Sequence, residues 1–159
     1  MRKVFLITGF NNWGKTFLIK KMFHQKIYHY NKLYKFLDIN FCVQPQSNDD
    51  LKRIKFQNKL KRRFEKLREA NIKLTHICAA FCPTKEQHNN SVEIIKELFS
   101  KDEVHIIAIK HKWCLHGQLN INQIEKYYSD LKYVTIHTLT ETDKDNKMPE
   151  LTRIMQPLL

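Results

Sequence analysis

Hydrophobic and polar positions along this chain fall into blocks, and the blocks alternate between two periods. Residues 4–8 form a short β-branched and aromatic run, the pattern of a strand buried on both faces. Residues 15 to about 24 change to helical spacing, with Phe17, Leu18, Met22 and Phe23 apolar and Lys20 and Lys21 exposed. Residues 33–38 and 40–43 predict a second strand region, broken at Ile39 or Asn40. A polar loop over residues 44–50 follows, and its Ser47-Asn48-Asp49-Asp50 suits a helix cap.

The helix so capped is predicted over residues 51 to about 71. Its apolar positions Leu51, Ile54, Leu60, Phe64 and Leu67 recur at three- to four-residue spacing with one turn skipped. Residues 73–81 read as a central strand, 91–100 as a helix, 104–109 as a strand and 122–131 as a helix. A last strand is expected over 133–139 and a short helix from 149 to the end. Strands separated by helices imply right-handed βαβ units. The expected fold is α/β: a single domain over residues 1–159, with a five-stranded parallel sheet covered by helices on both faces.

Composition narrows the setting. At 159 residues and 42% hydrophobic, the chain is long enough for one buried core. No apolar run approaches the roughly 20 residues that cross a bilayer. The apolar start of the chain reads as a buried first strand rather than a signal peptide, so a cytoplasmic setting without membrane association is expected. In that setting Cys42, Cys78, Cys82 and Cys114 are expected as reduced, mostly buried thiols. Lys and Arg number 28 against 16 Asp and Glu, a net charge of +12 that attracts polyanions.

Between the first strand and the first helix lies Gly9-Phe10-Asn11-Asn12-Trp13-Gly14-Lys15-Thr16. This is the G-x-x-x-x-G-K-[ST] pattern of a P-loop, and it holds two of the chain's three glycines. In such a loop the glycines let backbone N–H groups turn inward as a nest for phosphate oxygens. Lys15 then reaches the β- and γ-phosphates, the Thr16 hydroxyl holds Mg²⁺, and the helix from Lys15 through Phe17 adds its positive end. ATP or GTP with Mg²⁺ is the expected ligand. Phe10 and Trp13 are bulky for this loop, and packing against the sheet is expected of them rather than cover for the phosphates or base.

Residues around the loop extend the pattern. Ile77-Cys78-Ala79-Ala80-Phe81-Cys82-Pro83-Thr84-Lys85 resembles the third-strand segment of adenylylsulfate kinases, which ends in Phe followed by Ser-Pro-x-Arg. Leu37-Asp38-Ile39-Asn40 is similar to the Asp-Gly-Asp motif of that family, and Ser47-Asn48-Asp49-Asp50-Leu51 to the loop after it. The likeness spans about residues 3–100. The chain departs from the family at Asn40, at Lys85 in place of the arginine, and at Lys110-His111-Lys112-Trp113-Cys114-Leu115-His116-Gly117 in place of an arginine-bearing lid. The resemblance implies a kinase-like fold with an acceptor site between the second and third strands.

Phosphoryl transfer also needs a carboxylate and cations. Asp38, at an expected strand end, is the candidate base or Mg²⁺ partner, against a capping or surface role. Lys85, Lys110 and Lys112 are candidate cations at the same edge, against solvated lysines. Ala79-Ala80 supplies no Walker-B carboxylate, and no Asn-Lys-x-Asp guanine motif is present. The His and Cys of residues 111–116, with Cys78 and Cys82, match no zinc spacing and read as loop and core residues. The helix 51–68 carries Lys52, Arg53, Lys55, Lys59, Lys61, Arg62, Arg63, Lys66 and Arg68 against Glu65. It is a candidate stripe for nucleic acid or an acidic protein partner, against a solvated face. Three readings stay open: a small-molecule or nucleotide kinase, a nucleotide-binding regulatory or nucleic-acid-associated subunit, and a P-loop kept for structure alone.

Overall fold

The computed structural model describes residues 1–113 and 117–159. Among these residues six strands join one sheet: β1 (Lys3–Thr8), β2 (Tyr34–Phe36), β3 (Ile39–Gln44), β4 (His76–Phe81), β5 (Glu103–Ile109) and β6 (Val134–Leu139), in the order β2-β3-β4-β1-β5-β6. The strands β3, β4, β1, β5 and β6 are parallel, as the alternating pattern requires. β2 is antiparallel to β3. The sheet is therefore six-stranded and mixed, and the expectation of five parallel strands is corrected by one short edge strand.

The correction has a local cause. Leu37 and Asp38 take φ of 47° and 65°, so the chain reverses between Phe36 and Ile39. Positive φ at both central residues is what a two-residue hairpin of the I′ kind requires. The break expected at Ile39 or Asn40 comes at Leu37-Asp38 instead, and one strand region becomes a hairpin.

Among the described residues five α-helices accompany the sheet: α1 (Lys15–Phe23), α2 (Asn48–Glu69), α3 (Ser91–Phe99), α4 (Ile121–Tyr128) and α5 (Lys147–Met155), followed by a 3-10 turn, Gln156–Leu158. Successive strand residues point to opposite faces, which sorts the core. Phe5 and Phe41 meet each other and Phe41 meets Phe23 of α1 on one face. Phe81 meets Phe56 of α2 on the other. α5 joins α1, and α3 joins α2. Helices thus cover both faces, and Val4 to Ile7 of β1 are completely buried. Among the described residues no helix is long and apolar enough to cross a membrane.

α2 departs most from its sequence pattern. It starts at Asn48 behind a capping box, in which Ser47 and Asp50 satisfy each other's backbone N–H groups. Lys52 then interrupts it with φ 60° and ψ 165°. The interruption shifts the helical phase, so Phe56, Leu60, Arg63 and Leu67 face inward while Ile54, expected in the core stripe, is 71% exposed.

On the α1 face, His105 stacks on Phe5 and joins Glu103 to His137: its Nε2 lies 3.0 Å from Glu103 Oε1 and its Nδ1 lies 3.1 Å from His137 Nε2. Burial lowers the pKa of both histidines. Glu103 opposes the shift at His105 and Lys3 adds to it, while His105 adds to the shift at His137.

Two outcomes follow. Lys52 sits in backbone space that costs an L-residue roughly 1–3 kcal/mol and glycine little. Its ion pair with Glu86, at 3.9 Å between exposed side chains, contributes little. Lys52→Gly is expected to raise unfolding free energy by about 1 kcal/mol, read from the urea midpoint at unchanged slope. The depressed histidines mean that the unfolded chain binds more protons on acidification. Stability should fall as pH drops below about 6.5, the unfolded histidine value, through the lower folded values. His105→Phe, which keeps the stack on Phe5, should flatten that fall in pH-dependent denaturant titrations.

Candidate functional site

β1 leaves the sheet at its carboxyl end through a turn in which each glycine of the chain has a part. The Gly9 N–H extends the ladder by donating to Phe81 O at 3.2 Å. Asn12 has φ 60°, and Gly14 has φ 85° as the N-cap of α1. No side chain caps that helix, so the N–H groups of its first turn face the loop without a side-chain partner. Trp13, 7% exposed, packs beneath the turn. A Cβ on Gly9 would lie 3.2 Å from Trp13 Cβ, and one on Gly117 3.1 Å from Trp13 Cζ2. The packing expected of Trp13 is found. Phe10 meets it edge-on and stays 44% exposed. From above, Trp113 donates its indole N–H to Asn12 O at 3.0 Å.

The turn lines a cavity of about 210 Å³ formed by residues 11–17 and Asp50. Lys15 is buried there, and its Nζ donates to the loop's own carbonyls, Gly9 O at 2.8 Å and Phe10 O at 2.6 Å. Burial pushes this ammonium below the ordinary lysine range. The neighbouring Cys82 thiol is itself pushed up to about 12 by burial and stays protonated, so Asp49 and Asp50 are the charges that oppose the shift. The Thr16 hydroxyl donates to Pro45 O at 2.8 Å, tying the loop to the end of β3. Phe17 is 52% exposed at the rim. Uncapped helix N–H groups, a buried lysine, a hydroxyl and one carboxylate converge on this space. That set can hold an anion and a small cation together.

In the sequence Asp50 reads as a cap residue and as part of the loop that resembles the kinase family, without a site role. Its Oδ2 accepts from Ser47 N at 3.2 Å and Ser47 Oγ at 3.1 Å, which aims the carboxylate at the turn. Asn48 was missed as well. It is fully buried, donates to Cys82 O at 3.0 Å and accepts from Cys82 N at 2.7 Å, clasping the first turn of α2 to the end of β4. A Ser-Asn-Asp-Asp run directly after a parallel strand was the signal available, since ligands collect at the carboxyl ends of such strands.

The other candidates are less central. Lys85 follows β4 at the expected edge, but its Nζ sits 4.7 Å over the Tyr127 ring of α4 and it is not part of the cavity lining. Lys110 follows β5 and lines a separate cavity of about 430 Å³ with Gln118 and Asn120. The Lys112 N–H donates to Gly117 O. Cys42, Cys78 and Cys82 are buried free thiols. Cys114, Leu115 and His116 lie outside the described residues, and among those described no three His, Cys, Asp or Glu gather in a metal cluster.

Asp38 is not at this site. It precedes β3, whose neighbours Phe41 and His76 pair near the amino end of the sheet, so it lies at the opposite edge from the turn. The six residues of β3 put roughly 20 Å between the two. Its side chain is 91% exposed and pairs with Lys35 at 2.9 Å, and that hydrogen bond and charge hold its carboxyl below the usual range. The placement expected of Asp38, at a strand end beside the phosphate loop, is corrected: it is a hairpin residue at the opposite edge. Asp38→Asn should leave any nucleotide affinity and any phosphoryl transfer unchanged, measured by calorimetry and γ-phosphate release.

Compared with known proteins, the chain matches no family model, no curated protein and no solved structure.

Proposed function

We propose that this chain is a P-loop phosphotransferase that binds a nucleoside triphosphate with Mg²⁺ at residues 9–17 and transfers its γ-phosphoryl group to a hydroxyl acceptor. The observation that carries the reading is the convergence of Lys15, Thr16, the uncapped start of α1 and Asp50 on one cavity at the end of β1. The loop N–H groups cradle phosphate oxygens, and the dipole of α1 favours their charge. Lys15 exchanges the Gly9 and Phe10 carbonyls for phosphate oxygens, and an anion relieves the cost of its burial.

The residues present fit a nucleotide-bound Mg²⁺. This ion takes one or two carboxylates beside phosphates and water, and needs no all-protein cage. Thr16 Oγ1 and Asp50 would hold it. Mg²⁺ supplies neutralisation of charge on the β- and γ-oxygens when bound. Asp50 replaces Asp38 as the carboxylate of the reading, aligning the ion through water or accepting the acceptor's proton. Phe17, half-exposed at the rim, gives an apolar contact for the nucleoside.

One observation favours a second reading, nucleotide binding without transfer in a regulatory subunit. Lys15 is the sole cation among the described residues that line the cavity, and phosphoryl transfer draws on several. A transfer assay with γ-labelled ATP and GTP, run against water, pooled metabolites and 5′-hydroxyl oligonucleotides, separates the two.

Lys15→Met should abolish calorimetric binding of ATP·Mg²⁺ at concentrations that saturate the wild type, with the melting temperature kept within a few degrees. Retained affinity in that variant would sink the proposal. Asp50→Asn keeps an oxygen for the cap but loses the charge, so turnover should fall on the order of 100-fold while nucleotide affinity changes little. Ser47→Ala should do the reverse, costing about 1 kcal/mol of stability through the cap while turnover persists.

A further inference from the structure

Residues 15–68 hold 15 of the 28 Lys and Arg and 4 of the 16 Asp and Glu, so a net +11 of the chain's +12 falls in this one stretch. The fold gathers part of it along one flank of α2. Phe56, Leu60, Arg63 and Leu67 face inward, and Lys55, Lys59, Arg62 and Lys66 each stand one position before them. These four cations form a straight row about 16 Å long at the helical rise of ~1.5 Å per residue. Arg53 and Gln57, on the other flank, turn to Glu97 of α3. The row therefore borders the edge of the sheet, where Lys59 reaches Gln46 and the Arg62 guanidinium lies 4.9 Å from the Tyr30 ring centroid. Between row and edge runs a groove of about 380 Å³ lined by Tyr28, His29, Tyr30, Asn31, Arg62 and Lys66.

A second observation lies behind the groove. Arg63 is 5% exposed, and its Nε donates to Gln44 Oε1 at 3.0 Å, Nη1 to His29 O at 2.9 Å and Nη2 to Tyr28 O at 3.3 Å. Its guanidinium also lies 4.5 Å from the Tyr30 ring centroid. Every one of these partners is neutral, and among the described residues no carboxylate pairs with it. Three of its five N–H donors are so used. A buried charge is ordinarily matched by a counter-charge, and this one lies behind a groove whose walls carry the further cations Arg62 and Lys66.

We infer that this flank binds the phosphate backbone of a single-stranded nucleic acid, seated in the groove at Tyr30 and tracked by Lys55, Lys59, Arg62 and Lys66. One cation per helical turn beside a tyrosine-lined groove is the chemistry of a phosphate track. A single row whose Arg62 and Lys66 wall one groove matches one backbone rather than the two of a duplex. An anionic membrane surface is broad and flat and offers no strand to seat in the groove at Tyr30. Arg63, counted in the basic stripe from sequence, serves from within and is left intact in the test. The site lies apart from the β1–α1 loop, so its binding does not depend on the nucleotide reading.

The test uses the full chain, without nucleotide, and the fluorescence anisotropy of labelled oligo(dT) across a salt series. Four neutralised phosphates give a slope of log affinity on log salt of about −3, at roughly 0.7 per contact on a single strand. Arg62→Glu with Lys66→Glu should weaken binding by about tenfold or more and bring the slope to about half. Arg62→Ala with Lys66→Ala should lose affinity in the same direction, with circular dichroism unchanged. Lys126→Glu with Lys132→Glu, an equal charge change at exposed positions on and just after α4, should leave affinity within about twofold. No binding at the lowest salt, or an equal loss from the α4 pair, overturns the inference. Polyglutamate that competes as well as oligo(dT) makes the flank an acidic-protein surface, and tighter binding of duplex overturns the single-strand assignment.

Discussion

A strand buried on both faces and flanked on both sides has only its ends through which to reach solvent. β1 is such a strand: Val4 to Ile7 are fully buried, β4 and β5 hold its two edges, and helices cover its faces. At its carboxyl end the chain must turn over the ends of both neighbours without losing backbone hydrogen bonds or leaving a void. The Gly9 N–H satisfies the first demand at Phe81 O. Trp13 satisfies the second, and it fits because Gly9 and Gly117 have no Cβ to meet it. Gly14 then releases the chain into α1 with left-handed backbone. All three glycines of the chain thus serve this one turn and the packing around it.

The neighbouring element is arranged around the same turn. Asn48 ties the start of α2 to Cys82, Thr16 ties α1 to Pro45, and the capping box fixes Asp50. Lys52 then reorients the chain so that the body of α2 can lie along the sheet. Without the interruption, the first turn and the long helix would share one axis, and the phase that faces Ile54 to solvent would change. Strain of this sort persists where the surroundings over-determine it, and here the clasp on one side and Phe56 and Leu60 on the other do so.

Much of the fold was legible because its signals are local. Five strands and five helices follow from period and run length, and the Gly9–Thr16 spacing marked the turn around which the site is built. Failures came where position in space outweighs local pattern. A two-residue hairpin is usually announced by Asn-Gly or Asp-Gly, and Leu37-Asp38 carries no such punctuation, so β2 and β3 read as one region and Asp38 was assigned to the wrong edge. Arg63 read as part of an exposed stripe because a basic residue on an amphipathic helix ordinarily is. Its burial depends on carbonyls from residues 28 and 29, far away in sequence. Asp50 was recognised as a cap, and its second environment becomes visible only when β3 and β1 lie in one sheet.

Charge links the two regions that the fold keeps apart. The stretch with a net +11 includes both Lys15 and the row on α2, so the groove and the cavity at β1 share one excess of positive charge. Such a field raises the local concentration of any phosphate-bearing ligand and speeds its arrival, and it is weakened by salt. It does not choose among anions. Choice has to come from short-range features, and these differ between the two places: uncapped N–H groups and a single buried ammonium at the turn, a linear row with an aromatic neighbour on α2. The first geometry is that of the proposed triphosphate site and the second that of the proposed backbone track. Asp50 sharpens the distinction: a carboxylate lining the cavity disfavours a bare polyanion there relative to one accompanied by a divalent cation.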